Sequence, residues 1–416
     1  MPHQRLIERT RGRYRRGMEI VILGAGVAGV AAAIVLAELG HDVRIYERRP
    51  RASQLGAGVT LWPNACFVLE RLGLLDELRA VSGRPSTMQR LDWQGQPIAT
   101  LDIALLDARL GAATHTVLRR DLQRMLLTRL AAVGVAVSYG WVAREVGQHG
   151  ARAWVSFESG QRVESELLLG ADGRVASVAR HYVSPTLRAT YQGFVNWVGI
   201  AESDSPLVGD AGTILDFWGA GTRFGIVPIT DRLAYWAGGQ AMSLSRAAVQ
   251  VDPAAEVHST FAAWPPLVRR LLAESPSHSI RKLAIHDLDP SPQWFRGHVL
   301  LIGDAAHASL PTSGQGACQA LEDAWHLGRC LHAHSADLPG ALAAFTQLRY
   351  QKTRGLTLSG RQLARSLFHG TPEEDRQRDA DARAANSDGL AQAMANAWSA
   401  GLPLGSPKLP SQQHPQ

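Results

Sequence analysis

The stretch that decides the fold is Met18–Arg48, MEIVILGAGVAGVAAAIVLAELGHDVRIYER. It predicts a buried strand, a tight turn with the spacing Gly24-x-Gly26-x-x-Gly29, an Ala-rich helix and a second strand that ends at Glu47. The first glycine permits the turn, the second lets a pyrophosphate approach the backbone, and the third lets helix pack on strand. Free N–H groups at the helix start attract phosphate, and the Glu47 carboxylate is placed to accept from ribose hydroxyls. The stretch therefore predicts an adenine-dinucleotide site, without distinguishing FAD from NAD.

The composition indicates a folded protein of a reducing compartment. The chain has 416 residues, of which 45% are hydrophobic and 19% charged, so it is long enough for two domains and a large core. Its three cysteines, Cys66, Cys318 and Cys330, form no C-x-x-C pair and no disulfide framework. We therefore expect a cytoplasmic location.

The net charge of +6 is concentrated at the start of the chain. Residues 1–17 contain six arginines and one glutamate, which leaves a nearly neutral body, so we expect no nucleic-acid partner. A basic segment followed by an apolar run is also typical of an export signal or of a membrane span. However, Gly24, Gly26 and Gly29 interrupt that run at the spacing of a nucleotide site. We interpret residues 1–17 as a basic extension and expect neither export nor a membrane span.

Further motifs follow along the chain and narrow the choice of cofactor. They are the turn Gly56-x-Gly58, Arg119 in R-x-D-L, Asp172-Gly173 with Ser177 and Arg180, Gly303-Asp304-Ala305-Ala306-His307, and a loop with Pro311 and Gly314-Gln315-Gly316. The last loop follows an apolar strand and precedes a helical pattern, yet it has no nucleophile–base pair and no metal-ligand spacing. We therefore expect no metal site.

In this combination and order, the motifs resemble the single-component aromatic hydroxylases, the FAD-dependent monooxygenases of the p-hydroxybenzoate hydroxylase fold. The resemblance covers about Met18 to Arg361, with a departure at Ala179, where the family usually has valine. It implies an α/β fold in which a Rossmann-like FAD-binding domain carries an inserted antiparallel-sheet substrate domain and C-terminal helices. It also implies bound FAD, NADH or NADPH as a transient co-substrate, and O2, with one oxygen atom passing through a flavin C4a-hydroperoxide to an electron-rich ring.

The same resemblance implies which residues contact FAD. Asp304 would accept from the ribityl hydroxyls, and the loop from Pro311 to Gly316 would run along the flavin ring. The start of the next helix would stabilise a reduced, anionic flavin. The complete predicted cofactor set is Gly24, Gly26, Val27, Ala28, Gly29, Glu47, Arg48, Gly58, Val59, Arg119, Asp172, Gly173, Asp304, Pro311, Gly314, Gln315, Gly316 and Ala317.

Short alternating segments rich in aromatic residues predict an antiparallel sheet in the middle of the chain, which makes the FAD-binding domain discontinuous. The predicted boundaries are 1–17 for the basic extension, 18–84, 116–185 and 281–365 for the FAD-binding domain, 85–115 and 186–280 for the substrate-binding domain, and 366–416 for a C-terminal helix and a disordered tail.

Two residues of the predicted sheet bear on the substrate. Arg223 lies five residues before Pro228, and Tyr235 lies seven residues after it. With the segments GFVNWVG and IHDLDP, this spacing locally resembles bacterial FAD-dependent urate hydroxylases. We predict that Arg223 and Tyr235 are catalytic residues that hold a planar anionic heteroaromatic ring over the flavin, with urate as the leading candidate. In the alternative interpretation, Arg223 pairs with an acid and Tyr235 packs in the core.

Other functions fit the same framework. They are a flavin reductase or dehydrogenase that does not use oxygen, an epoxidase of an alkene substrate, and a flavin-binding regulator that is not an enzyme. The sequence has no G-x-S-x-G and no H-E-x-x-H motif, and we interpret His286-Asp287 as structural rather than as part of a catalytic triad. Oligomeric state and the choice between NADH and NADPH stay open.

Overall fold

The structure is a computed structural model that describes residues 17–52, 57–249 and 251–405. Residues 1–16 of the predicted basic extension and residues 406–416 of the predicted tail lie outside the described residues. Within the described part of the chain, no helix is long and apolar enough to cross a membrane.

The described strands and helices alternate along the first half of the chain. The strands are β1 (Glu19–Leu23), β2 (Asp42–Glu47), β3 (Gly58–Leu61), β4 (Thr87–Asp92), β5 (Pro97–Asp102), β6 (His115–Leu118), β7 (Val137–Tyr139), β8 (Ala143–His149), β9 (Arg152–Phe157), β10 (Arg162–Ser165), β11 (Leu167–Gly170), β12 (Ala189–Glu202), β13 (Thr213–Trp218), β14 (Thr222–Pro228), β15 (Leu233–Ala241), β16 (Arg281–Leu288), β17 (Phe295–Arg296) and β18 (Val299–Leu301).

The helices are α1 (Val27–Glu38), α2 (Pro63–Arg71), α3 (Leu75–Val81), α4 (Ile103–Leu110), α5 (Arg119–Ala132), α6 (Val178–Val183), α7 (Leu244–Ala247), α8 (Pro253–Thr260), α9 (Pro266–Ala273), α10 (Asp304–His307), α11 (Gly316–Ala333), α12 (Leu338–Phe368), α13 (Pro372–Ala384) and α14 (Ser387–Ser399). Two short 3-10 turns cover Ser277–Ser279 and Pro311–Ser313.

A six-stranded sheet forms the first layer, in the order β17-β18-β11-β1-β2-β7. The strands β18, β11, β1, β2 and β7 run parallel, and β17 pairs antiparallel at the edge. β1 is apolar and buried because it lies in the middle of this sheet with α1 packed over it, as expected of a parallel strand covered by helices. The predicted strand–turn–helix–strand unit and the Rossmann-like fold are confirmed.

A seven-stranded sheet forms the second layer, in the order β16-β12-β15-β14-β13-β4-β5. One face of it packs against α8 and α9 through a core that includes Trp197, Phe224, Trp236 and Phe261. The predicted strands of residues 85–115 are β4 and β5, which join at one edge beside β13. The sheet also extends past the predicted boundary at residue 280, because β16 pairs with β12 over most of its length.

The C-terminal segment forms two helices, α13 and α14, where the sequence predicts one. Trp398 of α14 packs on Trp62 with 4.6 Å between ring centroids. Lys352 of α12 donates to the carbonyl oxygens of Trp398 at 2.7 Å and Ala400 at 3.0 Å, so a cation sits at the C-terminal end of α14, where the helix dipole favours it. The C-terminal segment is therefore part of the folded body.

We expect Trp398→Ala to lower the free energy of unfolding by about 3–5 kcal/mol, because it removes a buried aromatic side chain and exposes Trp62. Urea unfolding followed by circular dichroism measures this. Ala397→Ser, at an exposed position of the same helix, is the control and should change the value by less than about 0.5 kcal/mol. Equal midpoints for both variants would show that α14 is not docked as described.

Candidate active site

The three glycines of the first motif differ in what surrounds them. Gly24 has φ +103°, and its N–H donates to the carbonyl of Tyr46 at 2.7 Å. A Cβ on Gly29 would lie 2.0 Å from the Gly24 carbonyl oxygen, so α1 approaches the turn too closely for any side chain there. A Cβ on Gly26 would meet nothing within 4 Å. The opening therefore lies above Gly26, at the first turn of α1, where Val27 and its neighbours present N–H groups without helical acceptors.

Glu47 lies beside this opening, and its carboxylate is buried and oriented by backbone. It accepts from the N–H groups of Ala25 and Arg49, both at 2.9 Å. Because Glu47 ends β2 and Ala25 lies in the turn after β1, these bonds bring the acid to the glycine motif, as the sequence predicts. The carboxylate thus faces the edge of the groove where ribose hydroxyls are expected.

The groove beside Glu47 is lined by three predicted residues and by several that the sequence reasoning missed. The predicted ones are Gly26, Glu47 and Arg119, which lies at the start of α5. Arg49, Arg51, Gln123 and Tyr139 complete the wall. The Gln123 amide also donates to the carbonyl of Ala25 at 2.8 Å, which fixes the glycine turn from α5. Its position four residues after Arg119, on the same helix face, is the signal that could have found it.

Arg48 is exposed and does not line this groove, although the sequence prediction chose it. Arg49 and Arg51, which are exposed as well, line the groove instead. Burial, followed by the charge of Glu47, raises the pKa of Tyr139, so its hydroxyl stays protonated as a donor. A contact of Arg48 with the cofactor stays a prediction.

Asp172 and Gly173 lie in the loop between β11 and α6. The Asp172 carboxylate accepts from the Ser177 hydroxyl at 2.5 Å and from a backbone N–H of α6 at 3.2 Å, and burial raises the pKa of Asp172. Arg180 donates to the carbonyls of Gly173 at 3.1 Å and Ala305 at 3.2 Å. The motif therefore holds two loops together, and a direct contact of Asp172 or Gly173 with the cofactor stays a prediction.

Gly303 and Asp304 lie where β18 meets α10. Gly303 has φ +57°, and a Cβ there would lie 2.6 Å from the Cβ of Ala28, so this loop packs directly on the glycine-motif helix. Its N–H donates to Asp323 at 2.7 Å. Asp304 is exposed at the first position of α10. The structure thus brings the predicted acceptor Asp304 next to the predicted nucleotide helix.

The segment from Pro311 to Gly316, here called the flavin loop, passes from a 3-10 turn into α11. Gly314 has φ +62°, and its carbonyl accepts from the indole N–H of Trp62 at 3.1 Å. A Cβ on Gly316 would meet nothing within 4 Å, so the start of the 18-residue α11 is open. The N–H groups of Gly316 and Ala317 lie at the positive end of that helix.

A buried network of charged residues between α11 and α12 supports the flavin loop. Arg349 donates to Asp323 at 2.7 Å, to Glu322 at 2.5 Å and to the side chain of Gln319 at 2.6 Å. Lys352 donates to Glu322 at 2.9 Å. Burial alone would raise the pKa of Glu322 and Asp323, but the neighbouring cations outweigh it and hold both pKa values below their usual range. Both carboxylates are therefore ionised and paired.

Gln315 of the flavin loop takes part in this network through its side chain. Its amide oxygen accepts from Asn64 at 2.9 Å and from Gln319 at 3.0 Å, and the residue is fully buried. Asn64 also donates to Glu322 at 2.6 Å. The side-chain nitrogen of Gln315 is buried and has no hydrogen-bond partner among the described residues, and a contact of Gln315 with a flavin stays a prediction.

Arg223 and Tyr235 lie on one face of the seven-stranded sheet. Arg223 is opposite Gly239, and Tyr235 is opposite Val227, so the two residues are four positions apart along the strands, or about 13 Å. This face is the one not covered by α8 and α9, because neighbouring residues such as Phe224 point the other way into that core. The register places both residues on the same face of the sheet, and their contact with a substrate stays a prediction.

Each of these two side chains has a protein partner. The Nε of Arg223 donates to Asp216 at 2.6 Å, and the Tyr235 hydroxyl bonds to the Thr60 hydroxyl at 2.9 Å. The Tyr235 ring also fills the space at Gly58, where a Cβ would lie 1.8 Å from it. Burial raises the pKa of Tyr235, so the phenol stays protonated. The alternative pairing of Arg223 with an acid is thus observed, and its terminal nitrogens make no bond to the described residues.

The flavin loop lies over this sheet face. Leu310, just before the loop, packs in one cluster with Trp218 near Arg223. Cys318, just after it, lies with its sulfur 3.7 Å from the carbonyl oxygen of Thr60, near Tyr235. Between Arg223 and Tyr235 this face carries Gly225, which has no side chain, and a Cβ there would meet only one atom, at 3.9 Å. The segments that flank the loop thus contact this face near Arg223 at one end and near Tyr235 at the other.

These features fit FAD. The structure offers a carboxylate at Glu47, an opening above Gly26, an exposed acid at Asp304 and an open helix start at α11. These groups suit, in turn, a ribose, a pyrophosphate, a ribityl chain and an electron-accepting ring, which is the order of these parts along FAD. Across residues 17–52, 57–249 and 251–405, no group of three or more His, Cys, Asp or Glu is arranged to hold a metal ion.

Comparison with known proteins agrees with this geometry. The family model for the FAD binding domain matches residues 17–341. The FAD-dependent urate hydroxylase of Mycolicibacterium vanbaalenii is 31% identical over 353 residues, which cover 83% of this chain and 87% of that protein. The 3-amino-4-hydroxybenzoate 2-monooxygenase of Streptomyces cremeus is 31% identical over 396 residues, which cover 93% of this chain and 97% of that protein.

A solved structure shows the same architecture with its ligands. Klebsiella pneumoniae HpxO complexed with FAD and uric acid superposes with a TM-score of 0.85 at 27% identity, covering 93% of this chain and 98% of that chain. The agreement extends through both sheets and the C-terminal helices, since little of either chain is left unmatched.

We expect Asp304→Ala to weaken FAD binding about tenfold to a hundredfold, because the ribityl hydroxyls lose a charged acceptor. The dissociation constant from fluorescence titration of the apoprotein measures this. Asp204→Ala, which removes an exposed acid of the substrate-domain surface, should leave it unchanged. An unchanged constant for Asp304→Ala would place that residue outside the cofactor site.

We expect Arg349→Met to lower the free energy of unfolding by about 3–5 kcal/mol, because two buried carboxylates lose their shared cation. FAD retention should fall as well, since the flavin loop rests on this network. Arg354→Met, at an exposed position of the same helix, serves as the control. A loss below about 1 kcal/mol in urea unfolding would mean that the network is not the support of the loop.

Proposed function

The chain belongs to the FAD binding domain family, and on that premise we propose that it hydroxylates a small, planar, anionic heteroaromatic ring, with urate as the leading candidate. It is an FAD-dependent monooxygenase, as its relatives are. Oxygen use by these relatives argues against a reductase or a regulator. We further propose O2 and NADH or NADPH as co-substrates, and the cytoplasm as the place of action.

The observation that carries the substrate proposal is the pair of polar groups on the sheet face under the flavin loop. The terminal nitrogens of Arg223 offer a planar pair of donors that suits two acceptors of a flat ring or an enolate. About 13 Å along the strands, the phenol of Tyr235 offers a single donor. A ring held between these ends would lie flat on Gly225 and its neighbours.

When bound, FAD supplies the redox chemistry, taking two electrons from NAD(P)H and delivering one oxygen atom of O2 to the substrate. The protein's own residues orient the ring and exclude water. Arg223 favours the anionic, electron-rich form of the substrate, which hydroxylation by an electrophilic oxygen requires. Tyr235 stays protonated and can donate to a ring oxygen while Thr60 donates to Tyr235.

The N-terminus of α11 adds a second contribution. Its N–H groups at Gly316 and Ala317 point a positive dipole toward the flavin loop, where a reduced flavin carries negative charge. Glu322 and Asp323, farther along α11, hold this helix in place because both are buried and bonded to Arg349 of α12. The geometry therefore favours charge development at the cofactor without a titrating side chain in the loop.

We expect urate to accelerate NADH or NADPH oxidation by the FAD-loaded protein, with equal loss of urate. Arg223→Gln should raise the Michaelis constant for urate about tenfold to a hundredfold, or divert NAD(P)H oxidation to hydrogen peroxide, because the ring loses a charged donor pair. Spectrophotometry of NAD(P)H and urate, with a peroxide assay, measures both effects.

Arg232→Gln removes an exposed arginine of the turn between β14 and β15 and should leave these kinetics unchanged. If urate neither binds nor stimulates while 3-amino-4-hydroxybenzoate or 6-hydroxynicotinate does, urate is the wrong substrate. If Arg223→Gln then leaves the kinetics of that other substrate unchanged, Arg223 is not the anchor.

A further inference from the structure

A cluster of charges occupies the Arg223 end of the sheet face. It consists of Arg90, Asp216, Trp218 and Arg223, here called the arginine corner. Asp216 accepts from Arg223 at 2.6 Å with one oxygen and from the indole N–H of Trp218 at 2.9 Å with the other. Arg90 lies opposite Asp216 on β4, and its guanidinium packs over the Trp218 ring, 5.1 Å from the centroid.

Positive charge exceeds negative charge in this corner. Among the described residues, no acid lies within ion-pair distance of Arg90, and Asp216, which is opposite Arg90 on β13, is already bonded to Arg223. The Nε of Arg90 is buried and has no hydrogen-bond partner among the described residues. One buried carboxylate therefore serves two guanidiniums, which leaves one positive charge without a counterion.

A third guanidinium nearby does not alter this balance. Arg378 of α13 packs over the same Trp218 ring at 5.3 Å. It is already paired with Asp375 at 2.9 Å and Asp379 at 2.8 Å. The charge of Arg378 is therefore neutralised by acids of α13, and the excess positive charge of the corner belongs to Arg90 and Arg223.

We propose that the arginine corner selects the anionic form of the substrate, with Asp216 as the positioning residue of Arg223 and Arg90 as the source of the unmatched charge. This rests on the proposed function of the same site, but it concerns the charge of the substrate and not the identity of its ring.

The geometry explains how Asp216 can position Arg223. A guanidinium is planar, so a bond to its Nε also fixes the plane and direction of the two terminal nitrogens. Asp216 itself cannot rotate freely, because Trp218 holds its second oxygen and the residue is only 4% exposed. The terminal nitrogens of Arg223 therefore meet a ligand without first being ordered, which lowers the entropic cost of binding.

The same sheet offers a matched control on its other face. There Glu256 accepts from the indole N–H of Trp197 at 3.2 Å and from Lys282 at 2.9 Å, and Lys282 lies 6.0 Å from the Trp197 ring centroid. Glu256, Trp197 and Lys282 thus combine an acid, an indole and a cation, as the arginine corner does. Because Trp197 points into the core with α8 and α9, this trio faces away from the substrate site.

The experiment measures, at neutral pH, the binding of two probe pairs by the FAD-loaded protein, and each pair is an anion and an analogue that is uncharged at that pH. The pairs are urate with 1,3,7,9-tetramethylurate, and 3-amino-4-hydroxybenzoate with its amide. Flavin absorbance changes give dissociation constants for wild type, Arg90→Gln, Asp216→Asn and Glu256→Gln. For the anion that is turned over, the Michaelis constant, kcat and the peroxide yield are measured as well.

We expect wild type to prefer the anion of the pair it binds. Arg90→Gln should weaken the anion about tenfold and leave the neutral analogue unchanged, because it removes the unmatched charge. Asp216→Asn should also weaken the anion about tenfold and raise the peroxide yield, although it makes the corner more positive. Glu256→Gln should change none of these ratios, even if it lowers stability.

Tighter anion binding by Asp216→Asn would show that Asp216 only neutralises charge, and it would overturn the positioning role. An unchanged anion preference in Arg90→Gln would overturn the role of Arg90, and this variant decides the matter if Asp216→Asn does not fold. Preference of wild type for the neutral analogue overturns the proposal while the monooxygenase assignment stands. Failure of wild type to bind either pair contradicts the proposed substrate class itself.

Discussion

The placement of the cofactor site depends on one buried carboxylate, that of Asp323. It accepts from the Gly303 N–H at the end of β18 at 2.7 Å, from His307 of α10 at 2.6 Å and from Arg349 of α12 at 2.7 Å. A carboxylate without solvent is costly unless such partners surround it, so alternative positions of these three elements are strongly disfavoured. With Gly303 fixed, its close contact with Ala28 sets the distance between the glycine motif and Asp304.

The cofactor half of the site was largely predictable from the sequence, because its motifs are set by the backbone geometry that a dinucleotide requires. A turn at Gly24 and a close helix contact at Gly29 demand glycine at fixed spacing, and an acid at the end of the next strand must follow, so the signature is local. Arg48 shows the limit of this reasoning. The run Arg48-Arg49-Pro50-Arg51 indicates a basic rim, but only the path of the chain beyond β2 decides that Arg49 and Arg51 face the groove.

The support beneath the flavin loop could not be predicted in the same way. Charged residues of a helix are ordinarily exposed, so Glu322 and Asp323 read as its solvent face. Their partners Arg349 and Lys352 lie on another helix, about 30 residues later in the chain. One signal was available, since Gln315, Gln319 and Glu322 recur at helical spacing on one side of α11. Such a polar stripe on a helix without an exposed face indicates buried pairing.

The substrate half depends on side chains that only the sheet register brings together. Asp216 and Arg223 are seven residues apart across a hairpin, and Arg90 joins them from a strand more than a hundred residues earlier. Neither spacing is a recognisable motif, and a shift of one residue in either pairing would turn the partners to the opposite face. Substitutions in the arginine corner can therefore alter its charge while the glycine motifs and the buried network around Asp323 stay the same. The proposed selection of substrate charge thus depends on β4, β13 and β14 of the seven-stranded sheet, whereas the cofactor motifs lie on the parallel sheet.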